Sequence, residues 1–243
     1  MAASIDIIIP VYNEERDLPP SIQKLTGFLK ANLHHPWRVV IADNASTDDT
    51  RSVAEQLCRE HRVVDYLYLP QKGRGRALRA AWMASTADLV GYMDVDLSTD
   101  VAHFPQLIQA LESGCHIAVG SRLSQDSQVT RSFKREFISR SYNLMIKGLF
   151  FTDFPDAQCG FKALTREAAQ AIVPHIQNNN WFFDTELLII AAKRGYRIKS
   201  IPVRWVDDPD STVKVLGTAA EDIKGLLRLR FGGVPRVPPP QPG

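Results

Sequence analysis

Residues 89–96 read Leu89-Val90-Gly91-Tyr92-Met93-Asp94-Val95-Asp96, an uncharged run that ends in two carboxylates one residue apart. A short apolar run bounded by polar residues is a strand buried on both faces, and such strands belong to sheets covered by helices. Residues i and i+2 of an extended chain point the same way, so Asp94 and Asp96 can converge on one site. Two close carboxylates repel unless a cation lies between or beside them. Mg²⁺ typically takes one or two carboxylates and completes its shell with phosphate oxygens. Read alone, the pair fits a metal site or an ordinary polar loop after a strand.

Outward from this run the chain alternates strand and helix. Ile5–Val11, Trp37–Ala42, Val63–Leu69 and Cys115–Val119 read as further strands. Leu18, Ile22, Leu25, Leu29 and Leu33 have helical spacing. Ser46-Thr47-Asp48-Asp49 supplies capping residues for a helix through about Glu60. A glycine turn at Gly73–Gly75 opens a helix to about Ser85, and His103–Ser113 is another. Alternation of this kind predicts an α/β fold with a mostly parallel sheet and right-handed crossovers. Beyond residue 120 the reading is one long helix over Gln128–Phe151, a strand at Phe161–Leu164, and helices at Glu167–Val173 and Thr185–Arg194. A strand at Arg197–Val203, an acidic turn at Asp207–Asp210 and an amphipathic helix at Val215–Phe231 follow. Residues 1–231 are expected to form one domain, divided near residue 120. The tail, residues 232–243, has five prolines in twelve residues and is expected to be disordered.

Composition narrows the function. The 243 residues are 44% hydrophobic and 23% charged, ordinary for a globular chain. No apolar run approaches the ~20 residues of a membrane span, and no basic leader precedes Ile5. Three scattered cysteines and six histidines form no zinc or redox spacing, which points to a reducing, cytoplasmic setting. A net charge of +2 argues against a nucleic-acid partner. The charge is uneven, however: residues 131–147 hold five basic residues against one acidic, and residues 193–243 hold ten against five. Two basic stretches on an otherwise acidic body suit an anionic surface or ligand, or are simply solvated helix faces.

Three other strand ends carry polar groups at the same sheet edge: Pro10–Glu15, Ala42–Asp48 and Gln71–Ala77. Asp43 and Asn44 suit a base or ribose. Gly73 and Gly75 would admit a ligand close to the backbone, with the helix start behind them favouring an anion. Lys72, Arg74 and Arg76 are candidate phosphate contacts. The turn lacks a dinucleotide fingerprint, since Leu78 stands where the third glycine belongs, and no GxxxxGK[ST] occurs.

Taken together these segments resemble the inverting glycosyltransferases of family 2, which have the GT-A fold. The likeness rests on Ile7-Ile8-Ile9-Pro10-Val11-Tyr12-Asn13-Glu14-Glu15, Asp43–Thr50, Gly73–Leu78 and the Asp94–Asp96 pair. It is nearest to the polyprenyl-phosphate (dolichyl-phosphate-type) hexosyltransferases, through Val119–Arg122, Asp156–Lys162, Trp181–Glu186 and Gly195–Trp205. The resemblance implies that Pro10, Tyr12, Glu14 and Asp43 line a nucleotide-sugar site, to which the reading of the glycine turn adds Lys72, Gly73 and Arg76. It implies that Asp94 and Asp96 hold Mg²⁺ or Mn²⁺ on the diphosphate and that Arg122 sits near the phosphates. Asp156 and Gln158 would face the sugar or reacting centre, Asp156 positioning groups or assisting as a base. Trp181, Asp184 and Glu186 would close the acceptor side. One departure is Leu97-Ser98-Thr99-Asp100, where some relatives carry a glutamine.

The implied reaction is attack of a lipid phosphate oxygen on C1 of a nucleotide-activated hexose, UDP-glucose in the first instance and GDP-mannose in the second. A phosphate monoester, with a second pKa near ~6, is largely dianionic at pH 7 and needs little help from a base. Arg131, Arg135 and Arg140 lie on a segment that also bears Phe137, Ile138 and Leu144. This reads as an interfacial helix that gathers the lipid phosphate and holds the protein peripherally on the cytoplasmic membrane surface. Other readings are transfer to a sugar or protein hydroxyl, a nucleotidyltransferase, and a non-catalytic nucleotide-sugar sensor or membrane scaffold. Oligomeric state is not legible.

Overall fold

The computed structural model describes residues 2–130, 133–206 and 215–240. Its strands are Ile5–Val11 (β1), Trp37–Asn44 (β2), Val64–Leu69 (β3), Leu89–Met93 (β4), Ile117–Ser121 (β5), Gln128–Thr130 (β6), Phe161–Thr165 (β7), Ile198–Pro202 (β8) and Arg204–Val206 (β9). Its α-helices are Leu18–Asn32 (α1), Thr50–Glu60 (α2), Arg74–Ala84 (α3), Phe104–Glu112 (α4), Phe133–Phe150 (α5), Arg166–Ile172 (α6), Phe183–Lys193 (α7) and Val215–Phe231 (α8).

Seven strands form one sheet in the order β3-β2-β1-β4-β7-β5-β8. The apolar runs decide this arrangement. All seven residues of β1 and all five of β4 and β5 are buried, as strands covered on both faces must be. Asp6 is the one carboxylate inside β1, and Arg38 and Ser85 bond it. Six strands point one way. The seventh, β7, runs antiparallel between β4 and β5, with Met93 opposite Phe161 and Val119 opposite Lys162. The sheet is therefore mostly parallel, as the sequence pattern implies. The reversal of β7 is a fact of direction that apolar patterning does not encode.

The second half departs from the sequence reading in three places. Residues 128–130 are a strand, not the start of a long helix: Gln128 donates to the Val203 carbonyl (3.1 Å), and β6 pairs with β9 in a separate parallel ladder. The predicted strand over Arg197–Val203 forms as β8, one residue shorter at each end, but a further short strand, β9, follows it from Arg204. Finally, the proline-rich tail takes no regular structure as far as Pro240, yet it is not loose. Arg194 Nε donates to the Pro235 carbonyl (2.7 Å), Tyr196 Oη donates to the Pro238 carbonyl (2.8 Å), and Val234 and Val237 pack on the core. Proline lacks a donor but keeps a carbonyl, so other elements can fasten such a strap by its acceptors. Arg131 and the acidic turn at Asp207–Asp210 lie outside the described residues.

Candidate active site

The common direction of β1 to β5 gathers the loops that follow them at one sheet edge. Because β7 is reversed, the loop that precedes it, Asp156–Gly160, joins them there. Three non-glycine residues at this edge are left-handed: Asn13 (φ 58°) after β1, Ala45 (φ 68°) after β2 and Leu97 (φ 48°) after β4. Such backbone persists only where neighbours hold it, and it concentrates at functional sites. Asn13 illustrates the hold: its N–H donates to Ser46 Oγ (3.0 Å), and its Oδ1 accepts from the Thr47 N–H (2.8 Å).

The predicted nucleotide residues come together around the first three strand ends. Pro10 is buried at the end of β1, opposite Ala42 of β2. The Glu14 N–H donates to Thr50 Oγ1 (2.7 Å). Tyr12 lies under the Lys72 ammonium, 3.3 Å from its ring centre. Asp43 is buried, one oxygen accepting from the Ser46 N–H (2.9 Å) and the other from Tyr66 Oη (2.8 Å). Asn44 ties the group together, donating to the Val11 carbonyl (2.5 Å) and accepting from the Gly73 N–H (2.9 Å).

The glycine turn does something other than the sequence suggests. Gly73 has φ 149°, and a Cβ there would come 2.6 Å from the Asn179 carbonyl oxygen; a Cβ on Gly75 would come 2.6–2.9 Å from the Phe183 side chain. Both glycines make room for protein: the 177–180 loop and α7. Arg76 donates to Gln71.

The Asp94–Asp96 pair is arranged by a turn, not by the extended chain that the i, i+2 argument assumed. Strand β4 ends at Met93, and the Leu97 N–H bonds back to the Asp94 carbonyl (3.2 Å). Asp96 is exposed and accepts from the Ser98 N–H (2.9 Å). Asp94 is 39% exposed, and its Oδ1 accepts from Arg74 Nε (3.1 Å) and Nη2 (2.6 Å). Arg74, read from sequence as a phosphate contact, is instead a buried bridge: its Nη1 also reaches Asp184 Oδ2 at 2.6 Å. The same carboxylate of Asp184 takes the Tyr92 hydroxyl and the Lys162 ammonium (2.8 Å), and Lys162 also donates to the Cys159 carbonyl (2.6 Å). Burial alone would raise the Asp184 carboxyl, but Lys162, Arg74 and the Tyr92 hydroxyl hold it below the usual carboxylate range.

Arg122 and Asp156 form a second buried pair. Arg122 donates from its backbone N–H (3.0 Å) and Nε (2.8 Å) to one carboxylate oxygen, and from Nη2 (2.9 Å) to the other. Asp156 is wholly buried; desolvation opposes its charge, yet Arg122 outweighs this and lowers its pKa. A carboxylate so engaged is a weak proton acceptor, which favours positioning over base assistance of the two roles expected of Asp156. Its partner Arg122 lines an open cleft of about 470 Å³ with Ser124, Gln125, Ser127, Glu136 and Arg140. The Trp205 ring lies 5.6 Å from the guanidinium carbon.

The expected acceptor residues divide. Trp181 is partly exposed and stacks on Arg74, 4.9 Å from ring centre to guanidinium. Asp184 is spent in the network above. Glu186, fully buried, accepts from the Gln177 (3.1 Å) and Asn178 (3.0 Å) N–H groups and pairs with Arg228 (2.8 Å), so it fastens the 177–180 loop to α8. Gln158 donates to Asp222 of α8 at 2.9 Å. Of the arginines expected to meet a lipid phosphate, Arg140 lines the cleft and pairs with Glu136, and Arg135 is half-buried on α5. Lys162, Tyr92 and Asp222 were missed by sequence reasoning. A signal existed for one of them, because Lys162 interrupts an otherwise apolar strand.

These residues suit a divalent cation. Asp94 and Asp96 are hard oxygen donors at the sheet edge, and no cluster of three His, Cys, Asp or Glu that could hold a metal occurs among the described residues. Two carboxylates are the complement such an ion takes when phosphate oxygens supply much of its shell.

Comparison with known proteins agrees with this geometry. Residues 6–173 match the family described as Glycosyl transferase family 2. The chain is 34% identical over 228 residues to the glycosyltransferase AglD of Haloferax volcanii, covering 91% of this chain but 35% of that one. It is 29% identical over 222 residues to a dolichyl-phosphate beta-glucosyltransferase of Trichomonas vaginalis, covering 86% of this chain and 66% of that one. The human dolichyl-phosphate beta-glucosyltransferase is also 29% identical, over 93% of this chain and 75% of its own length. The chain thus spans about a third of the first relative and two thirds of the second. In structure it is similar to glucosyl-3-phosphoglycerate synthase of Mycobacterium tuberculosis, crystallised with Mn²⁺, UDP and glucosyl-3-phosphoglycerate. That match has a TM-score of 0.71 at 19% identity, over 96% of this chain and 81% of that one, and establishes the shared fold.

Proposed function

Because the chain belongs to glycosyl transferase family 2, we propose that it transfers glucose from UDP-glucose to a polyprenyl phosphate at a membrane surface, inverting the sugar's C1. The relatives named dolichyl-phosphate beta-glucosyltransferases support this acceptor and this sugar. The observation that carries it is the fixed cation of Arg122, opening on a polar cleft that lies beside an exposed apolar helix. On α5 and the residue after it, Phe137, Leu144 and Phe151 recur every seven residues and are 65%, 71% and 80% exposed. Exposed Arg140 and Lys147 lie between them. On α8, which packs against α5, Ile223, Leu227 and Phe231 are exposed beside Lys224 and Arg230. No helix among the described residues is long and apolar enough to cross a membrane. An apolar stripe flanked by cations suits the boundary of an anionic bilayer.

In this reading Pro10, Tyr12, Glu14 and Asp43 bracket the nucleoside, with Lys72 beside them. Asp94 and Asp96 hold Mg²⁺ or Mn²⁺, which would neutralise charge on the diphosphate as it leaves. Arg122, locked by Asp156, faces the acceptor phosphate or the departing diphosphate with a guanidinium that needs no reorganisation. The phosphate oxygen attacks C1 opposite the diphosphate, the C1–O bond to the nucleotide breaks, and no proton has to be removed from a dianionic nucleophile. Arg140 and the α5 stripe bring the lipid head to the cleft.

The test is a panel of UDP-glucose and GDP-mannose against a short-chain polyprenyl phosphate, 3-phosphoglycerate and a soluble sugar. Mass spectrometry should find a glucosyl phospholipid from UDP-glucose. Turnover confined to a soluble acceptor would refute the lipid assignment.

A further inference from the structure

Asp222 lies on α8, and nothing in the chemistry above uses it. It is buried at 5% exposure. One oxygen accepts from Gln158 Nε2 at 2.9 Å, and the other is buried without a partner. An apolar residue would fill this place between helices without that cost, since an unsatisfied buried polar atom is unfavourable. What the carboxyl provides is a hold on Gln158.

Gln158 sits in the middle of the loop that joins the two halves of the site. At one end of that loop, Asp156 grips Arg122 through three hydrogen bonds. At the other, the Gly160 carbonyl accepts from the Asp94 N–H (3.2 Å). A side chain on Gly160 would overlap the Asp94 carboxylate. Between them, the Ala157 N–H donates to Asn143 Oδ1 of α5 (2.9 Å). The loop thus has one tether to α5, at its backbone, and one to α8, through Gln158. Both tethering helices bear the exposed apolar stripe.

We propose that Asp222 is a positioning residue: by holding the Gln158 amide from α8, it sets where the Asp156–Gly160 loop stands between Arg122 and Asp94. The consequence for turnover rests on the transferase reading of this site, whereas the consequence for the loop does not. Loss of the tether leaves the middle of the loop held by its α5 bond, so that the spacing of its two anchored ends is no longer fixed from α8. The transition state, which needs Arg122 and Asp94 in register, suffers more than ground-state binding of the nucleotide, because a misplacement of ~1 Å costs about 10²-fold.

The experiment measures steady-state kinetics and amide hydrogen exchange on Asp222→Ala, Asp222→Asn and Gln158→Ala. Asp222→Ala should lower kcat at least tenfold with the donor KM within threefold of wild type. Exchange at residues 157–160 should rise at least tenfold, while β4 stays protected. Asp222→Asn retains an acceptor oxygen and should return both readouts to within threefold of wild type. Should Asp222→Ala fail to fold, Gln158→Ala removes the same bond from its half-buried partner and should give the same signature. Wild-type kcat together with wild-type loop exchange, in either alanine variant that folds, would overturn the proposal. So would an asparagine variant as impaired as the alanine. A wild-type protein inactive on every donor and acceptor refutes the transferase reading instead, and the exchange arm still decides the tether.

Discussion

Gly160→Ala separates site geometry from stability better than any change to a charged residue. The backbone at Gly160 is not left-handed, so alanine is conformationally acceptable there, and the whole effect lies in what its Cβ meets. The new methyl would overlap Asp94 Oδ2 and lie 2.5 Å from Cγ and 2.9 Å from Oδ1. With van der Waals contact near ~3.5 Å, the carboxylate must swing by roughly 1–2 Å. That swing breaks the two bonds from Arg74, at 3.1 and 2.6 Å. A charge-assisted bond contributes about 1.5–3 kcal/mol when buried. Asp94 is 39% exposed and recovers water, so about 1–2 kcal/mol in total is expected. Arg74 keeps Asp184, and replacing glycine returns about 0.4–1 kcal/mol through the unfolded chain. The net loss is therefore about 1 kcal/mol, a fall in Tm of about 2–4 °C at this size. Activity should fall far more, about 10²-fold in kcat/KM, because the displaced group is one of the pair proposed to hold the cation. Thermal melts and initial rates on the same preparation check both numbers. A variant within threefold of wild-type kcat/KM would show that the position of Asp94 does not matter to turnover and would refute the reasoning.

Asp222 should also make stability depend on pH. Burial, with Glu221 beside it, pushes its carboxyl up to about 7 against the bond from Gln158; Tyr142 faces it from α5. A folded pKa above the unfolded ~3.9 means the protonated form stabilises the fold, fully below pH ~4 and progressively less as pH rises through ~7. Partial solvation discounts the effect to about 2 kcal/mol, so between pH 5 and 8 wild type should lose about 4–8 °C of Tm relative to Asp222→Asn; parallel melting curves would count against it. Lys162→Met leaves buried Asp184 with Arg74 as its one charged partner beside the Tyr92 hydroxyl and should cost about 3–5 kcal/mol by denaturant titration, a loss below 1 kcal/mol being incompatible with the ion pair. UDP with Mn²⁺ at ~100 times its Kd should raise Tm by about 5–10 °C, and Asp96→Asn should abolish the manganese-dependent part while leaving the response to UDP alone. An unchanged manganese effect in that variant would remove Asp96 from the cation site.

The first half of the fold was open to sequence reading for a physical reason. Parallel strands buried on both faces must be continuous apolar runs, and the turns between them need capping and turn residues, so β1, β4 and β5 announce themselves. The three-residue strands β6 and β9 have exposed or half-buried residues, and no burial pattern marks them. The strap after Gly232 was misread because prolines argue against packing a core, not against being fastened by their carbonyls. At the site, residue types were legible and partners were not. Asp156, Asp184 and Glu186 were picked out as acids at the right loops, yet whether an acid faces substrate or a buried cation depends on where Arg122, Lys162 and Arg228 arrive from elsewhere in the chain.

The reversed strand explains why these cations arrive where they do. Had β7 run parallel to β4, its preceding loop would lie at the far edge of the sheet, away from Asp94. Running antiparallel, it starts where β4 ends, and Tyr92 faces Lys162 directly across the ladder. Tyr92 bonds Asp184 of α7 and Asp94, just past the strand, bonds Arg74 of α3, so both meet groups supplied by those two helices. The same reversal carries Asp156 back to the end of β5 and onto Arg122, five residues before Phe161 begins the strand. One change of direction thus supplies a buried counter-charge to each half of the edge, the Lys162–Asp184 pair behind Asp94 and the Asp156 carboxylate behind Arg122. The loop between those anchors then becomes the place where the halves must be kept in register, and it is there that α8 takes hold.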